Sequence, residues 1–488
     1  MYVPLLAALA AAYGGVIAIQ PLAAAGLAVA LLVVALAFLA PVTHLAMLLF
    51  LTTIVPYSVN NAYAGLSTGP GLLLSDLFLV TGLARAAIVL AHARLDPRRL
   101  AVLGLIVAFC LWAVFAAYSG LRAGGNLSDV GVELRQLGGF SAAIIAMAIL
   151  LQPGSSERLG RALVVLGLLL GLWGLAQWVL GLAFGAVGED FGVREGVRYA
   201  PGGRGQVQGG LFAFPLAVVV SAGALISGEV RSRLARLSVS AVLALNAVSL
   251  LLTFERTFWV VTALGIAVVF LRMGRARRGR AILWTVTVAV VALVVTSEVS
   301  PRTLQTASAR LLSIGQYEAD NSLRYRRVES EHVLREIAEA PVVGSGLGAS
   351  IWWGRPWDRV PPTFETYVHN GYLWLVWKLG LIGSLALVLT LLLAIAWRGP
   401  PEGGALFAAV RVGAQASLLA LLVAAITFPS FTASGVTTAM GVLVAICALP
   451  RIARTAARPV GLDRPEGESD DREADYPAGL RPPPRLMA

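Results

Sequence analysis

The sequence predicts an all-α polytopic membrane protein, on three observations. Over 488 residues the mean hydropathy is +0.78, with 58% hydrophobic and 13% charged residues; soluble chains of this length do not reach such values. Apolar runs of roughly 20 residues, enough to cross about 30 Å of hydrocarbon, recur along most of the chain. Arginine gathers in alternate loops between those runs, the mark of a fixed orientation in the bilayer.

The runs predict spans near 3–19, 21–40, 43–57, 72–91, 99–119, 137–151, 161–183, 209–227, 236–253, 257–272, 281–298, 370–396, 406–428 and 431–449. That is roughly 12–14 transmembrane helices, since some of these runs are short enough to be broken or re-entrant. The first run shows no small-residue cleavage site and leads at once into further spans, so no removable targeting segment is expected. Cys110 and Cys447 fall inside spans and read as small buried hydrophobes, not a disulfide or a metal pair. The chain divides into 1–298 (spans with short loops), 299–369 (a long loop), 370–450 (C-terminal spans) and 451–488 (a polar tail).

Orientation follows from the arginines. Arg94, Arg98 and Arg99, then Arg231, Arg233 and Arg236, then Arg272, Arg275, Arg277, Arg278 and Arg280 occupy alternate loops, and Arg451, Arg454 and Arg458 follow the last run. These face the cytoplasm, with both termini. The opposite loops are near neutral. Loop 120–136 sets Arg122 and Arg135 against Asp129 and Glu133, and loop 184–208 sets Arg194, Arg198 and Arg204 against Glu189, Asp190 and Glu195. The long loop 299–369 holds eight arginines and eight carboxylates. The net charge of +11 therefore reports membrane topology and not nucleic-acid binding. The tail from Gly461, rich in Pro, Asp and Glu, reads as disordered.

Within the long loop, Ser322 to Ala340 has helical spacing. Val333, Leu334, Ile337 and Ala338 make an apolar face, and Asp320, Asn321 or Ser322 supplies the cap. Pro341 stops the helix and Gly344-Ser345-Gly346-Leu347-Gly348 makes a turn. A dinucleotide site is rejected here: a helix precedes these glycines instead of a strand, on the side of the membrane without nucleotides. Tight-turn geometry accounts for them. His369-Asn370-Gly371 then re-enters an apolar helix, and His369 is one of only four histidines.

Several of these segments together resemble the O-antigen ligase and polymerase superfamily of bacterial membrane glycosyltransferases. Phe254-Glu255-Arg256-Thr257 at the head of a span is similar to the family's Ser-Arg turn, with Glu255 in place of the usual small residue. Arg326, followed by Pro341-Val342-Val343-Gly344-Ser345-Gly346-Leu347-Gly348, is similar to its Arg, helix, Pro-x-x-Gly-x-Gly-x-Gly element. His369-Asn370-Gly371-Tyr372-Leu373, with Gly380 and Gly383 downstream, is similar to its His-Asn-x-x-Leu helix start. Arg204-Gly205 leading to Gly209-Gly210-Leu211-Phe212-Ala213 is similar to its Arg-bearing outer loop, with Gly209-Gly210 in place of Asn-Pro-Asn. The resemblance spans roughly residues 194–395 and implies a GT-C-like membrane fold.

The resemblance implies transfer of a glycan from undecaprenyl diphosphate to an acceptor hydroxyl, such as lipid A-core, on the periplasmic face of the inner membrane. Arginine suits that chemistry: its planar fork holds phosphate oxygens and never loses its charge. Fixed cations in a partly dehydrated site stabilise the departing diphosphate. No Asp-x-Asp or His-rich cluster occurs in the outer loops, so a metal-independent, inverting transfer without cofactor is expected. The resemblance places His369 as the base, Arg256 and one of Arg198 or Arg204 (Arg194 stays in the choice) on the diphosphate, and Arg326 and Asn370 in substrate contact.

Each residue also has a structural reading. His369 is equally an interfacial polar group, Arg256 a snorkelling headgroup contact, and Arg326 an i, i+3 partner of Glu329. Trp352, Trp353, Trp357, Tyr367, Tyr372, Trp374 and Trp377 fit an interfacial aromatic belt as well as sugar stacking. Asp76 reads as a satisfied helix-start carboxylate. His44 and His92 lie toward the cytoplasmic side, and His332 is a surface residue of the loop helix. Ligase and polymerase activities share the donor and both stay open, the ligase favoured by the single helix and glycine turn before His369. A lipid-linked sugar transporter is the reading from another class; two repeat halves with polar groups at the midplane would mark it, and neither is seen.

Overall fold

The computed structural model describes residues 21–55, 73–180, 212–228, 230–253, 255–272, 279, 321–353, 363–397 and 405–448. The expected spans 3–19 and 281–298, the tail 451–488 and the arginines Arg194, Arg198 and Arg204 lie outside them. Helices α1 (Pro21–Leu39), α2 (Pro41–Thr53), α3 (Leu74–Ala91), α4 (Pro97–Arg122), α5 (Leu127–Gly138) and α6 (Ala142–Leu150) come first. They are followed by α7 (Ser155–Leu180), α8 (Ala213–Ser227), α9 (Arg233–Leu251) and α10 (Arg256–Leu271). Then come α11 (Asn321–Glu339), a hairpin of β1 (Ile351–Trp353) and β2 (Thr363–Glu365), and α12 (Gly371–Ala396), α13 (Ala405–Ala424) and α14 (Ser434–Cys447). Seven helical stretches, α5 and α6 counting as one, are long and apolar enough to cross a membrane, and five shorter apolar helices accompany them. The fold is an all-α polytopic membrane protein.

Small residues and internal hydrogen bonds let the spans approach closely, as packing within lipid requires. Gly223 of α8 meets Gly413 of α13 backbone to backbone. The Asn246 amide of α9 donates to Gly167 O of α7 at 2.8 Å, and Ser249 Oγ to Gly171 O at 3.2 Å. Asp76 is the satisfied helix-start carboxylate the sequence suggested: it accepts Leu73 N–H at 2.9 Å and pairs with Arg135 at 3.0 Å.

One segment differs from its expected form. Residues 127–136, read as loop, are helix, begun by Asn126, whose side chain accepts Ser128 N–H at 2.8 Å. Two of the charges that suggested a loop are paired inside the fold. Arg135 goes to Asp76, and Glu133 is buried against Lys378, with Nζ and Oε1 2.7 Å apart.

Helix α12 is broken at Gly380, whose φ of 64° and ψ of −176° are not helical. Breaking a helix in apolar surroundings strands backbone groups that must find other partners. The turn after α11 supplies most of them. Leu381 N–H donates to Pro341 O (3.0 Å) and Ile382 N–H to Val342 O (3.4 Å), while Ser345 N–H and Gly346 N–H donate to Trp377 O and Lys378 O (2.7 and 3.2 Å). Trp112 Nε1 covers Leu379 O at 2.7 Å. Gly344, Gly346 and Gly348 all have positive φ, so their role is the tight turn expected of them. Glu329 lies beside His369, Pro341 beside Leu381 and Val342 beside Ile382, a constant offset of 40 residues. Helix α11 therefore runs parallel to the first half of α12.

Candidate functional site

The α11–α12 register brings Glu329 to His369. Glu329 is 1% exposed, and Oε2 accepts the His369 backbone N–H at 2.9 Å. Both carboxylate oxygens also face Nδ1 of the same residue, at 3.1 and 3.2 Å. The imidazole stands edge-on to Tyr325 and Tyr367, with centroids 5.3 and 5.1 Å away. Its side chain keeps 25% exposure, and Nε2 bonds to none of the described residues. Asn370 caps α12, its Oδ1 accepting Tyr372 N–H and Leu373 N–H at 3.0 and 3.1 Å. That cap sets the chain direction at His369 and leaves the Asn370 amide nitrogen for other contacts.

Arg326 is one turn before Glu329 on α11. The expected i, i+3 pair between them does not form, because both Glu329 oxygens are committed to His369. Arg326 Nε is buried with no hydrogen-bond partner among the described residues. The inward side of α11 is accordingly Glu329 and Val333, both buried, with Ile337 partly buried, while Leu334 and Ala338, expected on the apolar face, are exposed.

Arg256 opens α10 at the same end of the bundle as His369. Two residues after Arg256, the Phe258 ring packs on Phe428 at 5.0 Å, and two residues after His369, Gly371 N–H donates to Ala425 O at 2.8 Å. Tyr372 OH donates to Leu422 O at 2.6 Å. Both helices thus start at the bend between α13 and α14. Their far ends also coincide: Arg272, after α10, donates to Ile395 O near the end of α12 at 3.0 Å. Phe212, which follows the arginine-bearing segment 194–204 and leads into α8, joins the same end through Phe258 (5.2 Å) and Phe428 (4.7 Å).

The aromatic residues divide. Trp374 and Trp377 are each 1% exposed in the core and belong to neither a belt nor a sugar platform. Trp352 and Phe364 pair across the hairpin at 4.7 Å and remain exposed. Sequence reasoning missed Glu329 and Tyr325 as functional candidates, and read Tyr367 as a belt or sugar-stacking residue where it packs against the His369 imidazole. Glu329 and Tyr325 lie 40 and 44 residues before His369, a separation that leaves no local pattern; a carboxylate on the buried side of an otherwise surface helix was the available signal.

Residues 239–388, which include Arg256, Arg326, Glu329 and His369, match the family described as O-antigen ligase. Among curated proteins none matches the chain.

Proposed function

We propose, with residues 239–388 belonging to the O-antigen ligase superfamily, that this membrane protein transfers a glycan from undecaprenyl diphosphate to an acceptor hydroxyl of lipid A-core. The reaction takes place on the periplasmic face of the inner membrane. The observation that carries this reading is the state of His369: Nδ1 and the backbone are held by Glu329, while Nε2 bonds to none of the described residues and the side chain keeps 25% exposure. That is the arrangement a general base needs.

In the proposed step Nε2 takes the proton of the acceptor hydroxyl as its oxygen bonds to the anomeric carbon. The bond from that carbon to the diphosphate oxygen breaks, and the electron pair leaves with undecaprenyl diphosphate. Attack opposite the leaving group inverts the anomeric centre. Arg256, Arg326 and one of Arg198 or Arg204 meet the negative charge that grows on the diphosphate, the role arginine forks fill best. Asn370 contacts the substrate through its amide nitrogen. No metal ion is assigned to this step.

The test is transfer by the purified protein from an undecaprenyl diphosphate-linked oligosaccharide to rough lipopolysaccharide, for wild type and H369A. H369A is expected to lose about 10²–10⁴ in rate while inserting and folding normally; retained transfer removes the histidine from the mechanism. Deletion in cells separates the two acceptor classes. Loss of all long chains with accumulation of lipid-linked polymer identifies the ligase, and lipid A-core bearing one repeat identifies a polymerase.

A further inference from the structure

We propose that Glu329 is a positioning residue that keeps the His369 proton on Nδ1 and so leaves Nε2 as the basic nitrogen. The inference rests on the base reading of His369 given above. Three observations carry it. The carboxylate is 1% exposed, and among the described residues it bonds to no arginine or lysine. Both oxygens are spent on a single residue, at 2.9 Å to the backbone N–H and 3.1 and 3.2 Å to Nδ1. A backbone N–H can only donate, and a carboxylate that accepts it from the same side accepts from Nδ1 as well.

Burying a carboxylate is costly unless a cation or strong donors meet it. Here the group that meets it is an imidazole, which becomes a cation when Nε2 takes the acceptor proton. The pair is therefore best matched electrostatically after proton transfer, which favours the transition state over the ground state. Tyr325 and Tyr367, their rings nearly perpendicular to the imidazole, hem it in and limit its rotation away from the carboxylate.

A purely structural Glu329 would serve only to tie α11 to α12 through the His369 backbone. Glutamine separates the two roles. In E329Q the amide oxygen still accepts the backbone N–H, but the NH₂ group now faces Nδ1 and donates to it. That donor favours the tautomer with the ring proton on Nε2, which removes the base although the tether remains.

The experiment uses the full-length protein in nanodiscs with ring-¹⁵N histidine. The chain has four histidines, and H369Q identifies the signal of interest. Wild type is expected to show Nδ1 protonated and Nε2 bare at the assay pH. E329Q is expected to reverse this, with kcat for transfer from the undecaprenyl diphosphate-linked oligosaccharide falling by about 10²–10⁴. The donor KM should stay within a few-fold, and E329D should restore part of kcat. Wild-type protein carrying its proton on Nε2, or on both nitrogens, overturns the inference even if E329Q does not fold. Full transfer by folded E329Q, with H369A inactive, overturns it while the base reading stands. Transfer by H369A removes the base reading and this one together.

Discussion

Lys378 and Glu133, 245 residues apart in sequence, form a buried ion pair with Nζ and Oε1 2.7 Å apart. Lys378 is the single lysine of the chain. It also donates to Ala349 O and lies 4.2 Å from the Trp377 ring centroid, while Glu133 Oε2 accepts Gly348 N–H at 2.6 Å. The pair locks the glycine turn against α5 and α12, next to the break at Gly380. A compact ammonium fits this knot of acceptors where a guanidinium fork is too broad.

Removing one partner should leave a buried charge alone. K378M is expected to lose about 3–5 kcal/mol of stability. E133Q/K378M should recover the greater part, because the glutamine oxygen still accepts Gly348 N–H. Unfolding midpoints in detergent check this, and a double variant no more stable than K378M would contradict the account.

The glycine turn makes a second prediction. A Cβ at Gly380 would overlap Val342 O, one at Gly346 would overlap the Gly120 backbone, and both residues have positive φ. Strain alone is worth about 1–3 kcal/mol. G380A should cost at least that, and should also reduce transfer, because Pro341 and Leu381 belong to the same register that sets Glu329 against His369. G104A is the control: nothing lies within 4 Å of its Cβ, so stability should hold or rise slightly. Equal losses in both variants would show that the backbone contacts at Gly380 are not the cause.

The all-α membrane class was legible because it depends on composition and run length, which survive without tertiary knowledge. The α11 helix, its stop at Pro341 and the glycine turn were legible for the same reason: each is a local signal. Long-range pairing was not. Glu133 and Arg135 read as loop charges, and only Lys378 and Asp76, distant in sequence, explain how the one is buried and the other half-buried in helix α5. Trp374 and Trp377 read as a belt because periodicity cannot tell a core-facing stripe from an interfacial one. Arg326 and Glu329 were paired with each other by spacing, yet the α11–α12 register gives Glu329 to His369 instead.

Arg256 starts α10 at the bend that also anchors the first turn of α12. Should it meet the diphosphate, R256A is expected to slow transfer by about 10²–10³, the usual range for one lost donor to developing charge. R256K should recover only part, since the charge returns without the fork. Steady-state transfer with the undecaprenyl diphosphate-linked oligosaccharide measures both; a lysine variant as fast as wild type would reduce Arg256 to a nonspecific cation.

Arg326 offers a separate signature, because a residue kept for substrate contact usually stabilises the resting fold little. Its Nε is buried and lacks a partner among the described residues, a condition that costs about 1–3 kcal/mol in a folded protein. R326M keeps the length and apolar stem of the side chain and removes the stranded donor. Its unfolding midpoint is expected to equal or exceed that of wild type, while transfer falls by about 10²–10³. The same midpoint measurement in K378M should move the opposite way, which separates a buried charge that builds the fold from a half-buried one held ready for a ligand. An R326M protein that is less stable than wild type but transfers at full rate would assign Arg326 to the fold.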